Sequence, residues 1–171
     1  MTVSVREATA GDVSAVVEVA EAAWYAAYGG FLEPATIARA LERNYDGALL
    51  EAALDHEEIA FYVAEIEEDA DDAEREIVGF ASAEATWADE VELHTLYVHP
   101  DRWGEGVGSA LLERVLGWAR TADVDRVVYA VLADNAVGVD FLEAKGFLPG
   151  TEATGEIGGE RHPEIEYELP L

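Results

Sequence analysis

Apolar residues along this chain repeat with two periods, and the switches between them predict its elements. Val3 and Val5 alternate with polar neighbours, which predicts a short opening strand over 3–6. Asp12 stands where a helix N-cap belongs. Val13, Val16, Val17, Ala20, Trp24, Ala27 and Tyr28 then fall on one helical stripe. Gly29-Gly30 closes that helix. Pro34 opens a second helix, with Ile37 and Leu41 inward, that runs weakly to about Leu54. Strands follow over 59–66, 77–86 and 91–98, the first two joined by a turn over 67–76. A helix over 106–120 carries Val107, Leu111, Val115 and Trp118 on one side. Next come a strand over 126–132 and a helix over 135–145 closed by Gly146. A hairpin over 147–157 and 165–169, turning at Gly158-Gly159, ends the chain. The order β, α, α, β, β, β, α, β, α, β, β is a mixed α/β (α+β) class. Its hairpins imply antiparallel pairing, and its strand-helix-strand unit implies one parallel neighbour.

Composition narrows the function. The 171 residues carry no repeat or linker and are expected to form one domain, 1–171. The formal charge is 10 − 37 = −27. Such a surface repels nucleic acid and anionic membrane faces. No apolar run reaches membrane-spanning length, and no signal peptide opens the chain, so a cytoplasmic location is expected. Cysteine is absent, which excludes disulfides, thiolate ligands and a cysteine nucleophile. Nine arginines accompany a single lysine, Lys145. Dispersed carboxylate with almost no lysine is the pattern of a halophilic protein, because salt screens repulsion over about 3 Å at 1 M. On that background a carboxylate is weak evidence of a site. The acidic run Glu67, Glu68, Asp69, Asp71, Asp72, Glu74, Glu76 lacks calcium-loop spacing and reads as a solvated hairpin tip. His56, His99 and His162 show no metal-ligand spacing, so no metal is expected.

The informative stretch runs from Leu96-Tyr97-Val98-His99-Pro100 through Arg102-Trp103-Gly104-Glu105-Gly106-Val107-Gly108-Ser109. Glycines at alternate positions open an amphipathic helix there. They let backbone N–H groups converge, and the helix start adds unpaired donors, which makes an anion cradle suited to phosphate or pyrophosphate. A Walker loop needs Gly-Lys-Ser/Thr, which is absent. A dinucleotide fingerprint would place its third glycine at Ser109 and could use Asp123 or Asp125 for a ribose. However, the spacer 99–103 separates these glycines from their strand.

Leu-Tyr-Val-His-Pro followed by Trp-Gly-Glu-Gly-Val-Gly-Ser resembles the acyl-CoA pyrophosphate motif of the GNAT superfamily of N-acetyltransferases. Trp103 departs from the usual Gln or Arg of that motif, and Arg102 beside it is placed to substitute. Asn135 and Phe141-Leu142-Glu143-Ala144-Lys145-Gly146-Phe147 resemble a second family signature, and Val5-Arg6-Glu7-Ala8…Asp12 resembles the family's opening. The resemblance implies a largely antiparallel sheet of six to seven strands, about four helices, and a splay between the fourth and fifth strands. It also implies acetyl-CoA as co-substrate in that splay. Leu96, Tyr97 and Val98 would meet the pantetheine arm. Gly104, Glu105, Gly106, Val107, Gly108 and Ser109 would hold the pyrophosphate. Asn135 would bind the cofactor, cap its helix, or do both.

Transfer would be direct attack of an amine on the thioester, with a base to take a proton. Glu92 matches the family's base position on the fourth strand. Alternation places Glu92, His94, Leu96 and Val98 on one face. His94, whose residue type titrates near neutrality, is the second candidate, and Glu84 is the third. The family's thiolate-protonating Tyr falls on Leu142, which cannot donate. Tyr97, Tyr129 or water could serve instead, the thiolate could leave unprotonated, or activity could be lost. Trp24, Tyr28, Phe31, Glu33 and Trp87 are the acceptor-side candidates. The first three lie in a phrase resembling a subgroup that includes polyamine acetyltransferases, although Trp24 and Tyr28 also suit a plain core stripe. The expected acceptor is a small amine, polyamine or peptide N-terminus. Family habit adds a homodimer. The rival readings are a non-catalytic acyl-CoA-binding module and a dinucleotide oxidoreductase.

Overall fold

The structure, a computed structural model, describes residues 1–67 and 74–171. Glu68, Asp69, Asp71 and Asp72 of the acidic run lie outside the described residues. Seven strands form one sheet: β1 (Thr2–Glu7), β2 (Ile59–Glu67), β3 (Glu76–Ala85), β4 (Glu90–Val98), β5 (Arg126–Leu132), β6 (Leu148–Ile157) and β7 (Glu160–Pro170). Their order is β1-β2-β3-β4-β5-β7-β6, and β4–β5 is the parallel pair. Among the described residues the α-helices are α1 (Val13–Tyr28), α2 (Pro34–Asn44), α3 (Gly47–Asp55), α4 (Val107–Thr121) and α5 (Ala136–Ala144).

The sheet separates two cores. On one face α4 buries Val107, Leu111, Leu112 and Val115 against Ala81, Ala83, Val91 and Leu93. On the other, α1 and α2 bury Val16, Ala20, Trp24 and Ile37 against Phe61, Val63 and Phe80. Both helices of the pair α1 and α4 thus present the stripe that their sequence period predicts.

Three expectations need correction. The single helix through about Leu54 is two helices, because Tyr45 leaves helical geometry (φ −123°, ψ 31°) and Asp46 is extended (φ −64°, ψ 136°). The break turns the Tyr45 ring into the core, with its centroid 5.9 Å from that of Trp24. Asp12 precedes α1 but donates no side-chain cap to it. Its carboxylate instead receives Arg6 at 2.7 and 2.9 Å and the Thr9 N–H at 2.8 Å. Third, β4 does not alternate throughout. Ser82 faces Thr95 while Ala83 faces Leu93, so His94 is an extra residue, a β-bulge. Leu96 and Val98 therefore lie on the α4 side with Val91 and Leu93. Glu92 and His94 lie on the opposite side and do not share a face with Leu96 and Val98.

Candidate active site

Strands β4 and β5 pair only through Glu90↔Arg126, Val91↔Val127 and Glu92↔Val128. The Arg126 guanidinium meets Glu90 at 3.0 Å and ties this end together. Beyond it the bulge at His94 bends β4, and the strands part. A cavity of about 450 Å³ passes through the gap. Leu96, Tyr97 and Val98 line one side of it, and Tyr129 and Val131 the other, with Ala23 and Ala27 of α1 closing one end.

The glycine turn forms the opposite end. Pro100–Arg102 makes one tight turn, in which the His99 imidazole accepts the Asp101 N–H at 3.2 Å. The Trp103 indole N–H donates to the Val98 carbonyl at 2.9 Å and fastens the turn to the strand end. Gly106 caps α4 at φ +88°, a conformation that a side chain would strain. A Cβ on Gly108 would lie 3.1 Å from the Phe141 ring, so glycine here lets α4 and α5 approach across the cavity. The free N–H groups of the first α4 turn and the helix dipole favour an anion at this place.

Arg102, Trp103, Gly104, Gly106, Val107, Gly108, Ser109 and Asn135 all line the cavity. Glu105 does not; its carboxylate lies 3.8 Å from Arg102. Asn135 does cap its helix, with Oδ1 accepting the Gly138 N–H at 3.0 Å, and it is buried in the cavity wall as well. Two cations, Arg102 and Lys145, line the walls, and no Asp or Glu among the described residues does. In a chain with 37 acidic residues, that segregation marks a place for a negatively charged ligand. Lys145 was visible in the sequence as the sole lysine, yet only the turn of α5 shows that it faces the cavity. Its ammonium lies 5.8 Å from the Phe141 ring centroid.

The three base candidates come together. His94 Nε2 is 3.2 Å from Glu84 Oε2, and His94 Nδ1 is 4.0 Å from Glu92 Oε1. The β3–β4 register makes this cluster, since Glu84 pairs with Glu92 and His94 stays on their side of the sheet. Nearby on β7, burial first, and then repulsion from Glu90, Glu92 and Glu168, pushes the Glu166 carboxyl above the usual range.

The acceptor candidates divide. Trp24 and Tyr28 are buried, with ring centroids 4.9 Å apart. Phe31 continues that aromatic row, 5.8 Å from Tyr28 and 6.1 Å from the His162 ring. Glu33 is exposed at the start of α2. Trp87, 97% exposed, packs on nothing in the row. Sequence reasoning missed His162, because the final hairpin that carries it folds back onto α2, where Arg39 donates to the Gly158 carbonyl at 3.1 Å.

Three tyrosine hydroxyls meet at the gap. Tyr28 and Tyr97 share a hydrogen bond of 2.8 Å, and the Tyr129 oxygen accepts the Leu96 N–H at 3.2 Å. Leu142 is a buried, purely apolar part of the wall.

A family model described as "Acetyltransferase (GNAT) family" matches residues 19–147, and the chain belongs to that family. The PaiA N-acetyltransferase of Thermoplasma acidophilum, solved with coenzyme A, superposes with a TM-score of 0.84 at 21% identity. That similarity covers 100% of both chains. The yncA protein of Salmonella typhimurium, solved with its cofactor acetyl-CoA, gives a TM-score of 0.74 at 20% identity, over 100% of this chain and 95% of that one. These likenesses bear out the fold. An amino-acid acetyltransferase of Mycobacterium tuberculosis is 30% identical over 83 residues, 47% of this chain. The match spans 45% of that protein, less than half its length. No helix among the described residues is long and apolar enough to cross a membrane.

Proposed function

We propose that this chain is, over residues 1–171, a single acetyl-CoA-dependent N-acetyltransferase acting on a primary amine. The observation that carries the reading is the cavity through the β4–β5 gap, lined by Arg102 and Lys145 and by no described carboxylate. The glycine turn and the α4 start would hold the pyrophosphate, and the edge of β4 at Leu96–Val98 would take the pantetheine arm. When bound there, acetyl-CoA supplies an activated acyl group. The residues around it do the rest. Glu92 takes the proton that the amine sheds as its nitrogen attacks. His94, set between Glu92 and Glu84, carries that proton away and is held in orientation by Glu84. Transfer needs no covalent enzyme intermediate, which suits a chain without cysteine.

The acceptor is a small amine, polyamine or peptide N-terminus that reaches the gap past Tyr28 and Phe31. The carboxylates at Glu84, Glu92 and Glu166 favour a cation. The protein works in the cytoplasm of a salt-rich cell, and a homodimer is the expected assembly. The Leu142 side chain supports a second reading, a module that binds acyl-CoA without turnover.

Thiol release from acetyl-CoA in multimolar KCl, with a panel of amines and N-terminal peptides, separates the two. The transferase reading expects release with at least one amine, and a kcat for Glu92→Gln or His94→Ala lower by about 10²-fold or more. Binding of CoA by thermal shift without any release supports the module. Neither release nor shift sinks the cofactor assignment.

A further inference from the structure

Trp103 stands at the mouth of the cavity, and its part in the turn leaves its ring unused. The indole N–H is spent on the Val98 carbonyl at 2.9 Å, which fixes the side chain against the strand end. The ring itself is exposed and lines the cavity. Val137, on the first turn of α5, is likewise exposed and lines it too. Exposed large apolar side chains are few among the described residues. Two of them on one cavity make a surface fit to be covered by a ligand. β4 leads into the turn of Trp103 and β5 leads into α5, so the two side chains follow the ends of the strands that part. They stand on opposite lips of the mouth.

The neighbouring groups say what covers them. Trp103 directly precedes Gly104, and Gly106 opens α4, so the ring borders the anion cradle. A group seated on the ring is therefore attached to a phosphate held a residue or two away. In an acyl-CoA that group is the adenine, because the pantetheine arm leaves the pyrophosphate in the other direction, into the gap. A purine is flat and stacks well on indole. An indole already pinned by its N–H loses little rotamer freedom when the base arrives, which favours binding.

We infer that Trp103 is the stacking platform for the adenine of the acyl donor, with Val137 closing the slot from α5. The inference rests on the cofactor reading above. It gives a task to a residue that departs from the glycine-turn motif. The pyrophosphate is left to backbone N–H groups and Arg102, while the side chain at 103 takes the base. A donor fragment without a base, such as 4′-phosphopantetheine, gains nothing from that ring.

The test uses the whole protein in multimolar KCl with 1,N6-etheno-CoA, whose modified adenine fluoresces. Bound to the wild type, the etheno-adenine should be shielded from quenching by acrylamide. Calorimetry with CoA follows. Trp103→Leu should bind CoA about tenfold or more weakly, the size of one base–aromatic stack. Trp103→Phe keeps a ring but loses the N–H, and should stay within about threefold of the wild type. 4′-Phosphopantetheine should bind all three proteins alike. A purely structural role for the Val98 hydrogen bond gives another pattern, with Phe as damaging as Leu and phosphopantetheine weakened as well. That pattern overturns the inference. So does an etheno-adenine that acrylamide quenches as fully on the wild type as in solution, a result that stands even if a variant fails to fold. A wild type that binds no CoA overturns the cofactor reading beneath the inference, and the absence of any binding heat tells that outcome from the others.

Discussion

Asp12 shows how much one carboxylate can hold at the residue scale. Its side chain is 10% exposed and receives Arg6 and the Thr9 N–H together. Arg6 also pairs with Glu65 on β2. The Arg6 hydrogen bond, opposed by burial, brings the Asp12 carboxyl down to about 2 from an ordinary 3.8. A folded-state value below the unfolded one adds stability that is complete above the unfolded pKa and lost as pH falls toward the folded one. Asp12→Asn should therefore cost about 1–3 kcal/mol near neutrality, with the difference shrinking as pH falls from about 5 to about 2. Urea melts of both proteins across that range check it, and a constant difference would refute the assignment. Asp12 was conspicuous in the sequence, but as a cap. Its real partner is on β1, and no local pattern reveals a contact made by folding a strand beside a helix start.

At the scale of elements, periodicity located most of the fold and failed where the backbone broke its own rhythm. The stripes of α1 and α4 and the apolar runs of β2 and β3, strands buried on both faces, are direct images of burial. The bulge at His94 has no such image, because one extra residue leaves the local composition of a strand unchanged. That bulge moves Leu96 and Val98 to the α4 side; Glu92 and His94 share a face by plain alternation, and the pairing Glu84↔Glu92, which no local pattern reveals, brings Glu84 to them. The split between α2 and α3 did have a signal, since residues 42–47 hold one large apolar side chain, Tyr45, and Asp46-Gly47 stands where α3 begins. The glycine turn was the most legible part of the site, because its spacing is itself the structure. The approach of α4 to α5 makes it testable. Gly108→Val would drive a branched side chain into Phe141 and fill the cavity wall. The variant should melt within about 2–4 °C of wild type, equivalent to about 1 kcal/mol. It should also lose about tenfold or more in CoA affinity by calorimetry, about 1.4 kcal/mol. Unchanged affinity would show that the ligand does not pass between these helices.

Over the whole molecule, charge is arranged against its own average. A formal −27 covers the surface, while the cavity keeps Arg102 and Lys145 and excludes described carboxylates. Repulsion among surface carboxylates opposes the compact state, and salt relieves it. Raising KCl from about 0.1 M to about 2 M should raise the melting temperature, by about 2–4 °C for each kcal/mol regained. A flat or falling dependence would contradict the salt-adapted reading. Composition made this prediction available from sequence; which surfaces were spared was not, since the cavity exists only where α1, β4, α4, β5 and α5 come together in the fold. The gap between β4 and β5 has a further consequence. A sheet parted along its middle lacks backbone bonds that neighbouring strands would otherwise exchange, and a ligand lying there takes up part of that bonding. Occupancy then weighs directly on the folded population. A protein built this way has a lifetime against proteolysis that tracks the supply of its acyl donor, so its abundance would follow the metabolic state of the cell without any separate regulator.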